Sequence, residues 1–248
     1  MAIFITGDTH GDFRRFRADI FPEQRQMTKE DFVIVCGDFG IWEDSPEENY
    51  WLDWLEQKPF TTLFVTGNHS NYERLAEFPV SDQFGGKVQH IRPSVIHLMR
   101  GQVYTLCGRR FFTMGGASSH DVQGGIFQPD DPDLARKNRR CRRLGLPYRV
   151  EHVSWWKEEL PSPAEYAAAR RRLAAAGQQV DFIVTHCAPT RVQWALGGDG
   201  YRPDALTDFL DEVADTCAFR KWFFGHYHDN RMIGQKFILL YEQIIRVI

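Results

Sequence analysis

A layered α/β fold, built on a mixed sheet or a pair of sheets, is what this 248-residue sequence predicts. Two observations carry that prediction. Short apolar runs rich in β-branched and aromatic residues alternate with segments of helical character, the order expected of strands joined by packed helices. Several of these runs also end abruptly in a cluster of Gly, Asp, Asn or His, residues that stop a strand and turn the chain.

Taken in order, strands are expected over residues 3–6, 32–36, 62–66, 110–114, 182–185 and 222–224. Helices are expected over 46–57 and 163–176. The second has clear signals at both ends: Ser162 and Glu165 suit a capping box, Pro163 suits the first turn, and Gly177 suits the stop. The runs 96–98 with 103–106, and 237–241 with 244–247, read as antiparallel hairpins around short turns. In such folds ligands gather where the carboxyl ends of strands present loops from a rigid base.

The length and the 43% hydrophobic content are enough to bury one substantial core, so residues 1–248 are expected to form a single domain. The formal charge of -3 gives no global attraction to nucleic acid or to an anionic membrane. Cys36, Cys107, Cys141, Cys187 and Cys217 are scattered and never spaced as Cys-x-x-Cys, which argues against a disulfide framework or zinc knuckle and for a reducing compartment. No apolar run approaches the ~20 residues of a membrane span. A cytoplasmic protein without a membrane partner is the expectation.

The stretch from about 120 to 148 breaks the pattern, with Gly, Pro and Asp giving way to Arg136-Lys137-Asn138-Arg139-Arg140-Cys141-Arg142-Arg143. It lacks core-forming periodicity. Two readings stand side by side: a solvated surface insertion, or a basic flap that recruits a phosphorylated or nucleic substrate.

The chemistry lies just past the strands. After the first comes Gly7-Asp8-Thr9-His10-Gly11-Asp12, after the second Gly37-Asp38, after the third Gly67-Asn68-His69, after the fifth Thr185-His186, and after the sixth Gly225-His226-Tyr227-His228. Any one of these is ordinary turn chemistry. Five in series, each supplying a nitrogen or oxygen donor at a strand end, are not.

The series resembles the calcineurin-like metallophosphoesterases, whose ordered signature is Asp-x-His, Gly-Asp, Gly-Asn-His, His, then Gly-His-x-His. The resemblance runs from Gly7 to His228. It implies the four-layered α/β/β/α sandwich of that family and a centre holding two divalent metal ions, manganese first among them, with iron, zinc, nickel or cobalt as alternatives. Carried over by position, Asp8, His10 and His228 would hold the first ion, Asn68, His186 and His226 the second, and Asp38 would bridge them. Two divalent ions against only two carboxylates leave such a site positive, which attracts phosphate and acidifies bound water, so hydroxide is the expected nucleophile. His69 matches the family histidine that protonates the leaving oxygen or stabilises charge on the phosphoryl group.

The sequence departs from common family patterns at Ile41 and Ser70, where many relatives carry acidic or amide residues. Glu43, Asp44 and Glu73 are therefore candidates to support His69. The absence of an Asp-Arg pair at Ile41-Trp42 separates the chain from the protein Ser/Thr phosphatase and diadenosine-tetraphosphatase-like branches. The runs Trp51-Leu52-Asp53-Trp54-Leu55 and Ser154-Trp155-Trp156-Lys157-Glu158-Glu159-Leu160 are similar instead to a small bacterial and phage subgroup.

Outside the motifs, His90, His97 and His152 are expected to be structural or exposed. His120 follows the small-residue loop Gly115-Gly116-Ala117-Ser118-Ser119 and is a candidate substrate contact, as is Arg149, whose guanidinium suits phosphate. Trp51, Trp54, Trp155 and Trp156 are read mostly as core. The leading function is hydrolysis of a phosphomonoester or phosphodiester. The alternatives are a nuclease or nucleotide phosphodiesterase using the basic insertion, and a protein-binding scaffold that retains the fold. The intact ligand set disfavours the scaffold.

Overall fold

The computed structural model describes residues 1–197 and 201–248. In chain order the elements are β1 (Ile3–Thr6), β2 (Phe32–Val35), α1 (Pro46–Glu56), β3 (Thr61–Phe64), α2 (Tyr72–Glu77), β4 (Val80–Gln83), β5 (Gly86–Arg92), β6 (Val95–Leu98), β7 (Gln102–Leu106) and β8 (Arg109–Met114). There follow β9 (Ile126–Phe127), α3 (Leu134–Leu144), β10 (Arg149–Val150), α4 (Pro163–Ala175), β11 (Phe182–Thr185), α5 (Thr190–Gly197), α6 (Ala205–Thr216), β12 (Lys221–Phe224), β13 (Arg231–Ile233), β14 (Phe237–Leu239) and β15 (Ile244–Arg246).

Two mixed sheets form the centre. One runs β15-β1-β2-β3-β6-β5-β4 and the other β13-β14-β12-β11-β8-β7. Strands β1, β2 and β3 are mutually parallel, as are β8, β11 and β12. Strands β1, β2, β3 and β11 are buried along their whole length because both faces are covered. Alternation sorts their side chains. Ile3, Ile5, Ile34 and Leu63 from the first sheet meet Phe111, Phe182, Val184 and Phe223 from the second in one inner core. Phe4, Val33, Val35 and Phe64 point outward and pack with Leu52 and Leu55 of α1. On the far side Phe112, Ile183, Trp222 and Phe224 pack with Ala169 and Leu173 of α4 and with Phe209, Leu210 and Val213 of α6. The outcome is helix, sheet, sheet, helix.

The capping box of α4 forms, with the Glu165 backbone donating to Ser162 Oγ at 3.3 Å and the Ser162 backbone donating to Glu165 Oε2 at 2.7 Å. Both expected hairpins are absent from the described residues. Strand β6 already has β3 on one edge and β5 on the other, and β7 pairs with β8 in the opposite sheet. Likewise β14 lies between β12 and β13, whereas β15 pairs antiparallel with β1. Each short connection is a crossing from one sheet to the other. Gly101 makes the first possible: it adopts φ +66, and a Cβ there would press on Ala169 of α4.

The stretch from 120 to 148 contains α3, whose one buried residue is Cys141. Arg139, Arg140, Arg142 and Arg143 are exposed on it. Its ends are tied by the two-residue pairing of β9 with β10. No helix of the described residues is long and apolar enough to cross a membrane.

Candidate metal centre

The parallel strands of both sheets end at one rim, and contacts across it join the sheets. The Gly116 backbone donates to the Thr66 carbonyl at 2.8 Å, and the His226 backbone donates to Asp8 Oδ1 and Oδ2 at 3.1 and 3.0 Å. The glycines of the motifs interlock here. A Cβ on Gly37 would strike the His186 ring, one on Gly67 the Asp38 carboxyl, and one on Gly225 the Asp8 carboxyl. Each glycine thus clears space for a side chain from another motif. His10, Asp38, His226 and His228 hold left-handed φ values of 47, 41, 71 and 48°, a strain on the order of 1–3 kcal/mol per residue that the packed strand ends must offset.

All seven residues carried over as metal ligands come together. Asp8, His10 and His228 place one donor atom each within 4.8 Å of one another, and so do Asp8, Asp38 and His186. The first group matches the set assigned to the first ion. Asn68 joins the second group through its Oδ1, 3.1 Å from His186 Nε2. The His226 ring lies 4.8 Å from that of His186.

The donor set fits divalent cations. Asp8 and Asp38 are 1% exposed, and ionised carboxylates at that depth require positive partners. His186 Nδ1 faces the Cys36 carbonyl at 2.8 Å, so this nitrogen carries a proton and Nε2 turns toward Asp38 Oδ2 at 3.3 Å. Such a backbone anchor is how proteins orient metal-binding imidazoles. Burial opposes charge on His186, yet Asp38 and Asp8 raise its pKa to about 9. Burial likewise opposes ionisation of Asp38, but His186, His69 and His10 hold its carboxyl well below the usual range. The locus favours a cation at His186 Nε2, whether proton or metal ion. Imidazole, carboxylate and amide donors suit manganese, iron, zinc and related ions.

His69 stands beside this cluster. Its backbone N-H donates to Asp38 Oδ1 at 2.8 Å, and its carbonyl accepts from Trp42 Nε1 at 2.7 Å. None of the three carboxylates expected to support it does so: Glu73 binds His152, Asp44 binds Asn49 and Arg74, and Glu43 makes no hydrogen bond to the His69 ring. Arg149 takes that position. Its Nη2 lies 3.2 and 3.1 Å from the two ring nitrogens of His69, while Asp121 holds its guanidinium in a fork. His120 reaches the other end of the cluster, with Nε2 2.5 Å from His226 Nε2.

Two further residues act behind the ligands. Buried Glu159 accepts from the Ser119 backbone at 3.0 Å and from its Oγ at 2.6 Å. Ser119 Oγ in turn accepts from Asn68 Nδ2 at 3.4 Å. Nothing in the sequence singles out Asp121 or Glu159, because a carboxylate inside a polar loop or a Trp-rich run gives no sign of its tertiary partner.

A family model described as calcineurin-like phosphoesterase matches residues 1–230. The chain belongs to that family. Within the calcineurin-like phosphoesterases it is similar to lariat debranching enzyme A of Xenopus laevis, 26% identical over 163 residues, which cover 58% of this chain and 29% of that protein. It is also similar to the lariat debranching enzyme of Danio rerio, 24% identical over 165 residues, 59% of this chain and 28% of that one. The chain therefore spans less than a third of the length of either relative. Among solved structures, a protein of unknown function from Aquifex aeolicus is 18% identical over 63% of this chain and 81% of its own, with a TM-score of 0.27, a likeness too slight to bear on the fold.

Proposed function

We propose that this chain is a divalent-metal-dependent phosphoesterase that hydrolyses a phosphomonoester or phosphodiester. Asp8, His10 and His228 would hold a first ion, Asn68, His186 and His226 a second, and Asp38 would bridge them. The observation that carries this reading is the buried pair Asp8 and Asp38 among imidazole nitrogens where strands of two sheets end. Two divalent ions, manganese foremost, supply Lewis acidity at a phosphoryl oxygen when bound and make water acidic enough to ionise near neutrality.

The chain's own groups do the rest. His69, clamped through its backbone by Asp38 and Trp42, carries a proton on its ring to the leaving oxygen. Arg149, oriented by Asp121, offers guanidinium N-H groups to the non-bridging phosphate oxygens. His120 adds a donor on the side of His226.

A second reading, hydrolysis of a nucleic-acid or nucleotide diester, is favoured by one arrangement. The segment that delivers Arg149 also exposes Arg139, Arg140, Arg142 and Arg143 on α3, a row suited to a phosphate backbone. The two curated relatives are named for debranching a lariat, which points the same way. Residues 1–248 are read as one domain because three buried clusters share the same two sheets. All five cysteines are free, in keeping with a cytoplasmic location.

The test is to strip the protein with chelator, load it with Mn²⁺, count bound metal, and compare an aryl phosphate monoester with a bis-aryl diester. Hydrolysis of either, lost again on chelation, is expected. A metal-loaded protein that hydrolyses neither overturns the reading.

A further inference from the structure

A cavity of about 510 Å³ opens directly from His10 and runs between the turn that carries Asp12 and Arg14 and the segment from Trp42 to Glu48. Its volume suits a group the size of a nucleoside. Resting on the phosphoesterase reading above, we propose that this cavity receives the leaving group of the substrate, and that the leaving group is an alcohol, released as the P–O bond breaks and its oxygen takes the His69 proton, which carries an aromatic ring bearing N-H donors, the chemistry of a nucleoside with an amino-substituted base.

Position comes first. The cavity begins at His10, and its wall residue Trp42 donates its indole N-H to the carbonyl of His69 at 2.7 Å. The cavity therefore adjoins the cluster on the side of His69, where a group departing from phosphorus would leave.

The wall chemistry sets the class of occupant. Trp42 is 40% exposed, a high value for so large an aromatic. It is nevertheless fixed at two points, since its backbone N-H also donates to buried Glu48 Oε2 at 2.8 Å. A rigid, partly exposed indole is a stacking surface that loses little entropy on binding. Trp51 lines the same cavity and is held edge-on between Phe13 and Trp54.

Charge narrows the class further. Arg14 is spent on Asp12 and Glu48 on Arg74, whereas Glu43 and Glu47 are exposed residues of the lining. An acidic rim repels a second phosphate and accepts hydrogen bonds from ring or exocyclic N-H groups. A neutral amino-bearing base satisfies both the indole and the carboxylates. A base presenting mainly carbonyl oxygens satisfies only the indole.

The experiment uses the Mn²⁺-loaded full chain with a bis-aryl phosphodiester as reporter, and cytidine and uridine as uncharged competitors. Cytidine is expected to inhibit more strongly than uridine. Trp42→Ala should raise the inhibition constant for cytidine by about tenfold or more, the loss expected for one stacked base. Trp42→Phe, which keeps a ring but loses the bond to His69, should restore most of the inhibition. The pair Glu43→Gln and Glu47→Gln should erase the preference for cytidine. Hydrolysis that neither nucleoside inhibits overturns the subsite and leaves the phosphoesterase reading intact. Equal inhibition constants in Trp42→Phe and Trp42→Ala also overturn it, because Trp42 would then act only through His69. No hydrolysis by the metal-loaded wild type overturns both readings.

Discussion

One carboxylate, that of Asp38, accepts the backbone N-H of His69 at 2.8 Å through Oδ1 and faces His186 Nε2 at 3.3 Å through Oδ2. The ligand cluster and the proposed proton donor are thereby held by a single buried group. Asp38→Asn keeps an oxygen for His69 but removes the charge. Bound Mn²⁺ should fall below two ions per chain, and hydrolysis should drop by at least about a hundredfold, the upper end of what even outer partners of a metal site cost. Thermal unfolding of the metal-free protein should still be cooperative. A variant that binds metal and turns over like wild type removes Asp38 from the site.

Glu159 fixes the direction of a relay. As an acceptor from Ser119 it leaves Ser119 Oγ to accept from Asn68 Nδ2, and that turns Asn68 Oδ1 toward His186. Glu159→Gln keeps the shape but puts a donor where only an acceptor works, so the relay can reverse and present the Asn68 amide nitrogen to the metal. Affinity for one of the two ions should weaken by about 10–100-fold, read by Mn²⁺ titration and independent of any substrate. Unchanged affinity at both sites would mean that Glu159 merely anchors the loop.

Much of this candidate centre was legible because its residues follow strands that announce themselves by apolar runs, with a glycine before Asp8, Asp38, Asn68 and His226 and Thr185 before His186. Asp8, Asp38, Asn68, His186 and His226 needed no knowledge of the partner strand. The pairing of Ser162 with Glu165 was legible for the same reason: the signal is local. The four layers came only from the family resemblance, because periodicity marks strands and helices but not how two sheets stack. The two misplaced hairpins show the limit. A short turn between two β-runs looks alike in sequence whether the second strand returns along the first or crosses to another sheet, and only the occupied edges of β6 and β14 decide it. Arg149 was chosen for its guanidinium alone. That it stands over His69, where a carboxylate was expected, depends on Asp121, whose partner is 28 residues away.

Arg149 is held by a fork from Asp121 and lies against both nitrogens of His69. A lysine at this position retains the charge but lacks the planar fork that binds Asp121 at two points while holding a further N-H group in a fixed direction toward His69. Arg149→Lys should therefore lose about tenfold or more in kcat/KM, roughly 1.4 kcal/mol, with Mn²⁺ content unchanged. A Lys variant with the wild-type kcat/KM would show that charge alone matters and that the fork is structural.

His97 carries a pH signature remote from the ligands. It is buried, stacks on Phe64 at 5.2 Å, and its Nδ1 lies 2.8 Å from Gln89 Oε1. Because Gln89 Nε2 already donates to the carbonyls of Leu75 and Phe78, Oε1 must accept, so the proton of neutral His97 is on Nδ1. Its Nε2 has no hydrogen-bond partner among the described residues, and a second proton there would be buried without an acceptor. Burial first, and then the charge of Arg100, push its pKa from 6.5 down to about 3. The unfolded chain takes up this proton below about pH 6.5 and the folded chain refuses it. The contribution is thus complete above pH 6.5 and is lost as pH falls toward 3, at a slope approaching about 1.4 kcal/mol per pH unit. His97→Asn keeps a donor toward Gln89 Oε1 and cannot titrate. Urea unfolding of wild type and variant between pH 7 and 4 should give curves whose difference in stability narrows or reverses with acidification by that slope. Parallel curves would mean that folded His97 accepts its proton as readily as the unfolded chain does, and the assignment of the Nδ1 tautomer would fall with it.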